Sequence, residues 1–343
     1  MTVWGSQAVI GGARRLEFHA MSPSFTYLQA HQFAALNPGP KLIVTGAVHG
    51  NETCGTRGIE RVLAELARGE WELMRGTLTM VPVCNPLAYA NARRTGERNL
   101  NRRLQPDTAQ DFEGRIANVL CPWLAAHDAL LDLHSFRSPG RPFVLRGPAN
   151  NTGTLEPFAR EVEEAALTAH LGVNRVVEGW MPAYAGGVAR RRQRALDAGA
   201  ALDAVRDDPA YGIGTTEYMR SQGGYAVTLE CGQHDDPQAP DVAYRAIRQT
   251  IALLGLADLP LAPPAGPFEC LKLATVVDRL HEGDHLVRSW TSFDPLREGE
   301  LIALRHDGSE LRAPQDGTIV FPDVSALPGN EWFYLAQASE RPL

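Results

Sequence analysis

His49 and Glu52 stand three residues apart in His49-Gly50-Asn51-Glu52, directly after an apolar run at positions 42–48. A neutral imidazole nitrogen and a carboxylate oxygen at that spacing suit a catalytic zinc ion. His134 closes a second apolar stretch, 129–134, and completes a His, Glu, His set that leaves a fourth metal position open. Asp132 precedes it by two residues and so shares its strand face. It is placed either to accept the far N–H of a metal-bound His134 or to make a capping or core hydrogen bond. Glu230 closes a third strand-like run, 225–230. It reads either as a strand cap or as the general base that metal-assisted hydrolysis needs at the same sheet edge. Arg93, Arg94, Arg98, Arg102 and Arg103 fall within eleven positions. They form either a solvated face or a guanidinium clamp for a carboxylate.

These residues have to be delivered by elements that end at one edge. The runs at 42–48, 77–83, 129–134 and 225–230 read as strands; helical spacing covers 53–68, 111–126, 155–171 and 242–254. The alternation predicts an α/β fold, a mostly parallel twisted sheet flanked by helices, with ligands collecting at the carboxyl ends of the strands. Positions 1–36 suggest short strands around a Gly11-Gly12 turn. Positions 180–224, including the run Arg190–Arg194, read as an insertion or lid-like loop. The proline-rich stretch 260–267 marks a linker, so the expected division is a catalytic α/β domain at 1–262 and a small all-β domain at 267–343. The latter is barrel-sandwich-like, without a lysine at the turn where a carried group would be attached.

In this order the motifs resemble the succinylglutamate desuccinylase/aspartoacylase family, relatives of the zinc carboxypeptidases. His49-Gly-Asn-Glu52 is similar to the family's first two zinc ligands, and Asp132-Leu-His134 to the segment bearing the third. Leu100-Asn101-Arg102 is similar to the Leu-Asn-Arg element that binds substrate carboxylate. Arg94 is similar to the arginine that polarises the scissile carbonyl, and Glu230 in Glu-Cys-Gly to the catalytic glutamate. Asn330-Glu331-Trp-Phe-Tyr334 resembles an Asn-Glu-x-x-Tyr element whose tyrosine contacts substrate. The chain departs from the pattern at Asn99, where the family often has Asp, and over 180–224.

The resemblance implies a zinc-dependent amidohydrolase, one Zn²⁺ per chain, that deacylates an N-acyl amino acid. Its rivals are a zinc carboxypeptidase for short peptides and a catalytically silent metal- or ligand-binding homologue.

The composition sets the remaining expectations. The 343 residues carry a net charge of −7, which argues against a sequence-independent nucleic-acid partner. Lys41 and Lys272 are the only lysines and neither follows a glycine, so there is no Gly-Lys-[Ser/Thr] phosphate loop. The five cysteines include no Cys-x-x-Cys pair, which leaves histidine and carboxylate as metal ligands. Cys54, close to the ligand motif, reads as a small buried residue of a helix's first turn. No apolar run reaches a membrane span and no export signal opens the chain, so a cytoplasmic location and no membrane partner are expected. The partner expected is a small-molecule substrate, and a homo-oligomer is left open.

Overall fold

The computed structural model describes residues 26–108, 111–203 and 207–343; the Gly11-Gly12 turn lies outside them. The elements are β1 (His31–Ala34), β2 (Lys41–Gly46), α1 (Cys54–Arg68), β3 (Thr77–Val81), α2 (Pro86–Ala90), α3 (Phe112–Ala125), β4 (Ala129–Phe136) and β5 (Phe143–Leu145). Next come α4 (Glu161–Ala169), β6 (Arg175–Glu178), α5 (Trp180–Asp197), α6 (Thr215–Ser221), β7 (Tyr225–Gln233) and α7 (Ala239–Leu253). The C-terminal segment is all strand: β8 (Glu269–Asp278), β9 (His285–Leu286), β10 (Pro295–Leu296), β11 (Leu301–Leu304), β12 (Glu310–Arg312), β13 (Gly317–Val320) and β14 (Glu331–Ala338).

The centre of the main sheet, β3-β2-β4-β7, is parallel and buried on both faces. Along β2, Leu42 and Val44 enter a core shared with Ile59 and Val62 of α1 and Ala243 and Ile247 of α7. Ile43 points the other way, into a core with Ile116, Leu120 and Leu124 of α3. Period-two alternation with apolar residues on both faces is what a helix-covered sheet requires.

The expectation of a mostly parallel sheet is corrected. The sheet is mixed: eleven strands in the order β1-β3-β2-β4-β7-β5-β6-β8-β14-β13-β10. β1 runs antiparallel to β3, β5 antiparallel to β7, and β14, β13 and β10 continue as antiparallel neighbours beyond β8. The cause lies in the connections, because parallel pairing needs a crossover of a dozen or more residues. Between β4 and β5 only the short link 137–142 intervenes, with no helix, so the chain turns back. β8 pairs in parallel with β6, and the main sheet therefore runs across the proline-rich linker. A separate sheet, β12-β11-β9, contributes Ile302 of β11 to a core shared with Trp290 and Trp332.

The loop expected at 180–224 is largely helical, containing α5, a 3₁₀ turn at Pro209–Gly212 and α6. Its arginine run has a structural use. Arg190 donates to the Val276 carbonyl (2.8 Å), Arg191 to Asp278 Oδ1 (3.0 Å) and Arg194 to Asp278 Oδ2 (2.6 Å), fastening α5 to β8. No helix among the described residues is long and apolar enough to cross a membrane.

Candidate active site

Three parallel strands deliver the chemistry to one edge. β2 ends at Gly46, three residues before His49; on the neighbouring strands His134 of β4 and Glu230 of β7 are register partners. The loop that carries His49 and Glu52 lies flat against α2. A Cβ on Gly50 would sit 2.0 Å from the Ala88 carbonyl carbon, so only glycine fits there.

His49, Glu52 and His134 are buried and offer ligand atoms that all lie within 4.8 Å of one another. His49 Nδ1 is 2.9 Å from Glu52 Oε1, and His134 Nδ1 is 2.9 Å from Glu52 Oε2. The outer nitrogens are committed elsewhere: His49 Nε2 donates to Asn99 Oδ1 (3.1 Å) and His134 Nε2 donates to Asp132 Oδ2 (2.8 Å). With the N–H on the outer side, the neutral His49 ring turns its Nδ1 lone pair toward the glutamate, and His134 would do the same on giving up its second proton to a metal. That is the arrangement of histidines that share a cation with a carboxylate, so the donor set fits a metal of the zinc type.

Asn99 performs the orienting task although it is not Asp. Its Oδ1 also accepts from the Asn101 amide (2.9 Å). Asp132, fully buried, further accepts from Thr45 Oγ1 (2.6 Å) and from Thr215.

The electrostatics separate the groups. Burial, aided by the Arg94 charge, lowers the His49 pKa to about 4, which favours the neutral ring that a metal needs. Burial opposes the charged forms of Glu52 and His134 too, but their mutual attraction outweighs it. Glu52 is held well below the usual carboxylate range, while Asp132 and Glu52 hold His134 well above the usual histidine range. Glu230 behaves differently. Burial, reinforced by the Glu52 and Asp132 charges against the pull of His134 and Arg94, pushes it up to about 8, and its Oε2 is buried without a hydrogen-bond partner. A carboxyl so poised is suited to exchanging a proton near neutral pH.

A cavity of about 710 Å³ opens over this cluster and is lined by all eight residues singled out in the sequence: His49, Glu52, His134, Glu230, Arg94, Asn101, Arg102 and Tyr334. Arg94 donates from Nη1 to Glu52 Oε1 (2.8 Å) and leaves about half of its side chain exposed. Asn101 Oδ1 accepts from the Thr215 amide (2.9 Å), which ties the clamp segment to α6. Arg102 Nη2 reaches both oxygens of Glu331 (3.3 and 3.2 Å), and its guanidinium lies 4.8 Å from the Trp180 ring centre. Tyr334 donates its hydroxyl to the same Glu331 (2.8 Å). Glu331 thus links the clamp to the C-terminal segment, which supplies a wall of the cavity through Phe321, Asp323, Glu331 and Tyr334. Cys54 is buried in the first turn of α1 and donates Sγ–H to the His134 carbonyl (3.3 Å).

Sequence reasoning missed two groups. His234, four residues beyond Glu230, lies with Nδ1 2.9 Å from Ser135 Oγ and Nε2 3.4 Å from Asn51 Nδ2, bridging the end of β4 and the loop that carries His49 and Glu52. Arg220 of α6, in the lining of the cavity, is enclosed by Glu156, Glu164 and Glu217. His234 was findable from its closeness to Glu230. The Arg220 cluster had no signal, because its members are spread over more than sixty positions.

Comparison with known proteins agrees with the resemblance. Residues 38–177, which include His49, Glu52, His134, Arg94, Asn101 and Arg102, match the family model of the succinylglutamate desuccinylase/aspartoacylase catalytic domain. The chain's fold is similar to that of the product-bound ectoine utilization protein EutE (DoeB) from Ruegeria pomeroyi. The two are 19% identical over 90% of this chain and 88% of that one, with a TM-score of 0.66. It is likewise similar to a succinylglutamate desuccinylase/aspartoacylase from Rhodobacter sphaeroides (17% identity, 91% and 90% covered, TM-score 0.65). A third similar structure is the succinylglutamate desuccinylase from Vibrio cholerae (17% identity, 90% and 85% covered, TM-score 0.66). No curated protein matches the chain by sequence. The resemblance read from the motifs is therefore borne out, and the fold is that of desuccinylase/aspartoacylase structures.

Proposed function

We propose that this protein is a zinc-dependent amidohydrolase that removes the acyl group from an N-acyl amino acid. The observation that carries the reading is the buried His49, Glu52, His134 set with Nδ1 atoms turned inward and Glu230 in register with His134 on the next strand. His49, Glu52 and His134 would hold one zinc ion, which when bound acidifies water and polarises a carbonyl. Glu230 takes the proton from the attacking water and returns it to the leaving amine. Its raised pKa, about 8, makes both transfers accessible near neutral pH. Arg94, with half of its side chain open to the cavity, stabilises charge developing on the scissile carbonyl oxygen. Asn101 and Arg102 anchor the substrate's α-carboxylate, and Tyr334, fixed through Glu331, borders the same space. In this reading residues 1–262 are the catalytic domain, and 267–343 narrow its entrance.

By narrowing the entrance that wall favours a deacylase over a carboxypeptidase, whose peptide must extend out of the cleft on its N-terminal side. The test is release of amine from a panel of N-acetyl, N-succinyl and N-formyl amino acids compared with blocked tetrapeptides. Turnover of the acyl amino acids with negligible peptide cleavage is expected. Efficient release of C-terminal residues from the peptides would replace the reading with the carboxypeptidase one.

A further inference from the structure

The lining of the cavity also includes a second polar cluster, Glu156, Glu217 and Arg220, built around one arginine. Arg220 is 2% exposed at the side chain. A buried guanidinium facing a cavity is ordinarily a receptor for a carboxylate, which it binds through two parallel N–H bonds. Here the fork is already filled. Nε donates to Glu164 Oε2 (2.8 Å), Nη1 to Glu156 Oε1 (2.7 Å), and Nη2 to the Ala226 carbonyl (2.6 Å). Glu217 Oε1 stands a further 3.6 Å from Nη1.

One positive charge therefore meets three carboxylates. Two of them have other donors. Glu164 accepts from the Gly147 and Ala226 amides, and Glu217 from the Gly214 amide and the Thr216 hydroxyl. Among the described residues, Glu156 accepts only from Arg220. Burial, with the charges of Glu217 and Glu164 added against the pull of Arg220, raises its pKa to about 7. Near neutral pH it therefore carries only part of its negative charge, and Glu164 and Glu217 already exceed the single cation.

The other enclosed cations of the wall are also matched. Arg146 pairs with Glu178, Arg341 with Glu178 and Glu161, and Arg102 with Glu331. Lys272 and Arg137 are exposed, where solvent screens their charge. Arg102 differs from Arg220 in having one carboxylate partner, at 3.2 Å, and an aromatic ring behind it. It can hold a single substrate carboxylate, whereas the Arg220 cluster presents surplus negative charge.

Resting on the deacylase reading, we infer that the Arg220–Glu156–Glu164–Glu217 enclosure rejects a second carboxylate. The substrates of this enzyme are then N-acyl amino acids with one carboxylate and an uncharged or cationic remainder, and Glu156 determines that selectivity. Like charges brought together out of water cost several kcal/mol, enough to discriminate at least about tenfold.

The experiment compares kcat/KM of the zinc-loaded enzyme for two matched pairs: N-acetylaspartate with N-acetylasparagine, and N-succinylalanine with N-succinamoylalanine. The amide member of each pair is expected to exceed the acid by about tenfold or more. E156Q, which keeps the shape and reduces the surplus negative charge, should narrow both ratios by improving the acids. A wild-type enzyme that cleaves the acid of either pair as well as its amide overturns the inference while leaving the deacylase reading intact. Failure to cleave any of the four, or any member of the wider panel of N-acetyl, N-succinyl and N-formyl amino acids including those with cationic side chains, removes the deacylase reading and the inference with it. Should E156Q not fold, as judged by thermal unfolding, the wild-type ratios decide alone.

Discussion

Asp132→Asn isolates what holds the metal-ligand geometry. Asp132 is fully buried, accepts from Thr45 through Oδ1 at 2.6 Å, and through Oδ2 receives the His134 Nε2–H at 2.8 Å. An asparagine that keeps the Thr45 bond must turn its NH₂ toward His134. The ring then accepts at Nε2 and carries its proton on Nδ1, the atom 2.9 Å from Glu52 and the one needed for the metal. Binding a metal would require reversing that tautomer and losing a hydrogen bond to a charged group, a cost of about 1.5–3 kcal/mol. At about 1.4 kcal/mol per tenfold, zinc affinity should fall by roughly 10–100-fold, the range typical of outer-sphere partners of metal-bound histidine. Competition with a chromophoric zinc chelator at fixed pH measures it, with circular dichroism confirming the fold. A folded D132N that binds zinc within about twofold of wild type would refute the reasoning, since it leaves no room for the tautomer penalty.

Three further outcomes follow from the same geometry. Gly50→Ala forces the ligand loop off α2, because its Cβ would lie 2.0 Å from the Ala88 carbonyl carbon. Elemental analysis should show zinc loss and denaturant unfolding a cost of about 1–3 kcal/mol. Arg220→Ala leaves Glu156, Glu164 and Glu217 without their cation and should cost about 3–5 kcal/mol in urea unfolding. In the metal-free protein, the Glu230 pKa is raised from its ordinary 4.5 to about 8. The folded state then binds more protons than the unfolded one across that window, so stability falls as pH rises through it. Glu230→Gln should flatten the upper part of the fall, and an unchanged pH profile of Tm would place the carboxyl's environment elsewhere.

Local pattern made the central sheet and the ligand motifs readable. The apolar runs before His49, His134 and Glu230 announce the buried strands β2, β4 and β7, although β2 stops at Gly46 and β4 and β7 continue to Phe136 and Gln233. Strand direction was not readable. The antiparallel β5 depends on the short link from β4, and the pairing of β8 with β6 joins residues nearly a hundred positions apart. The stretch 180–224 hid its helices because glycines and arginines interrupt the apolar period. α5 is held instead by arginines that reach Asp278 and the Val276 carbonyl. In the site, residue types at short spacing were legible, whereas pairings such as Arg102 with Glu331, and Arg220 with its glutamates, exist only in three dimensions.

Zinc dependence and the proton-transfer role can be tested in one titration. Metal-free wild type and E230Q are given increasing zinc, and amine release from an N-acyl amino acid is followed together with bound metal. Wild-type turnover should rise and level off at one zinc per chain. E230Q should bind the same single zinc yet turn over roughly 10²–10⁴-fold more slowly. Wild-type activity that survives complete zinc removal, or near-normal turnover by zinc-loaded E230Q, would contradict the account.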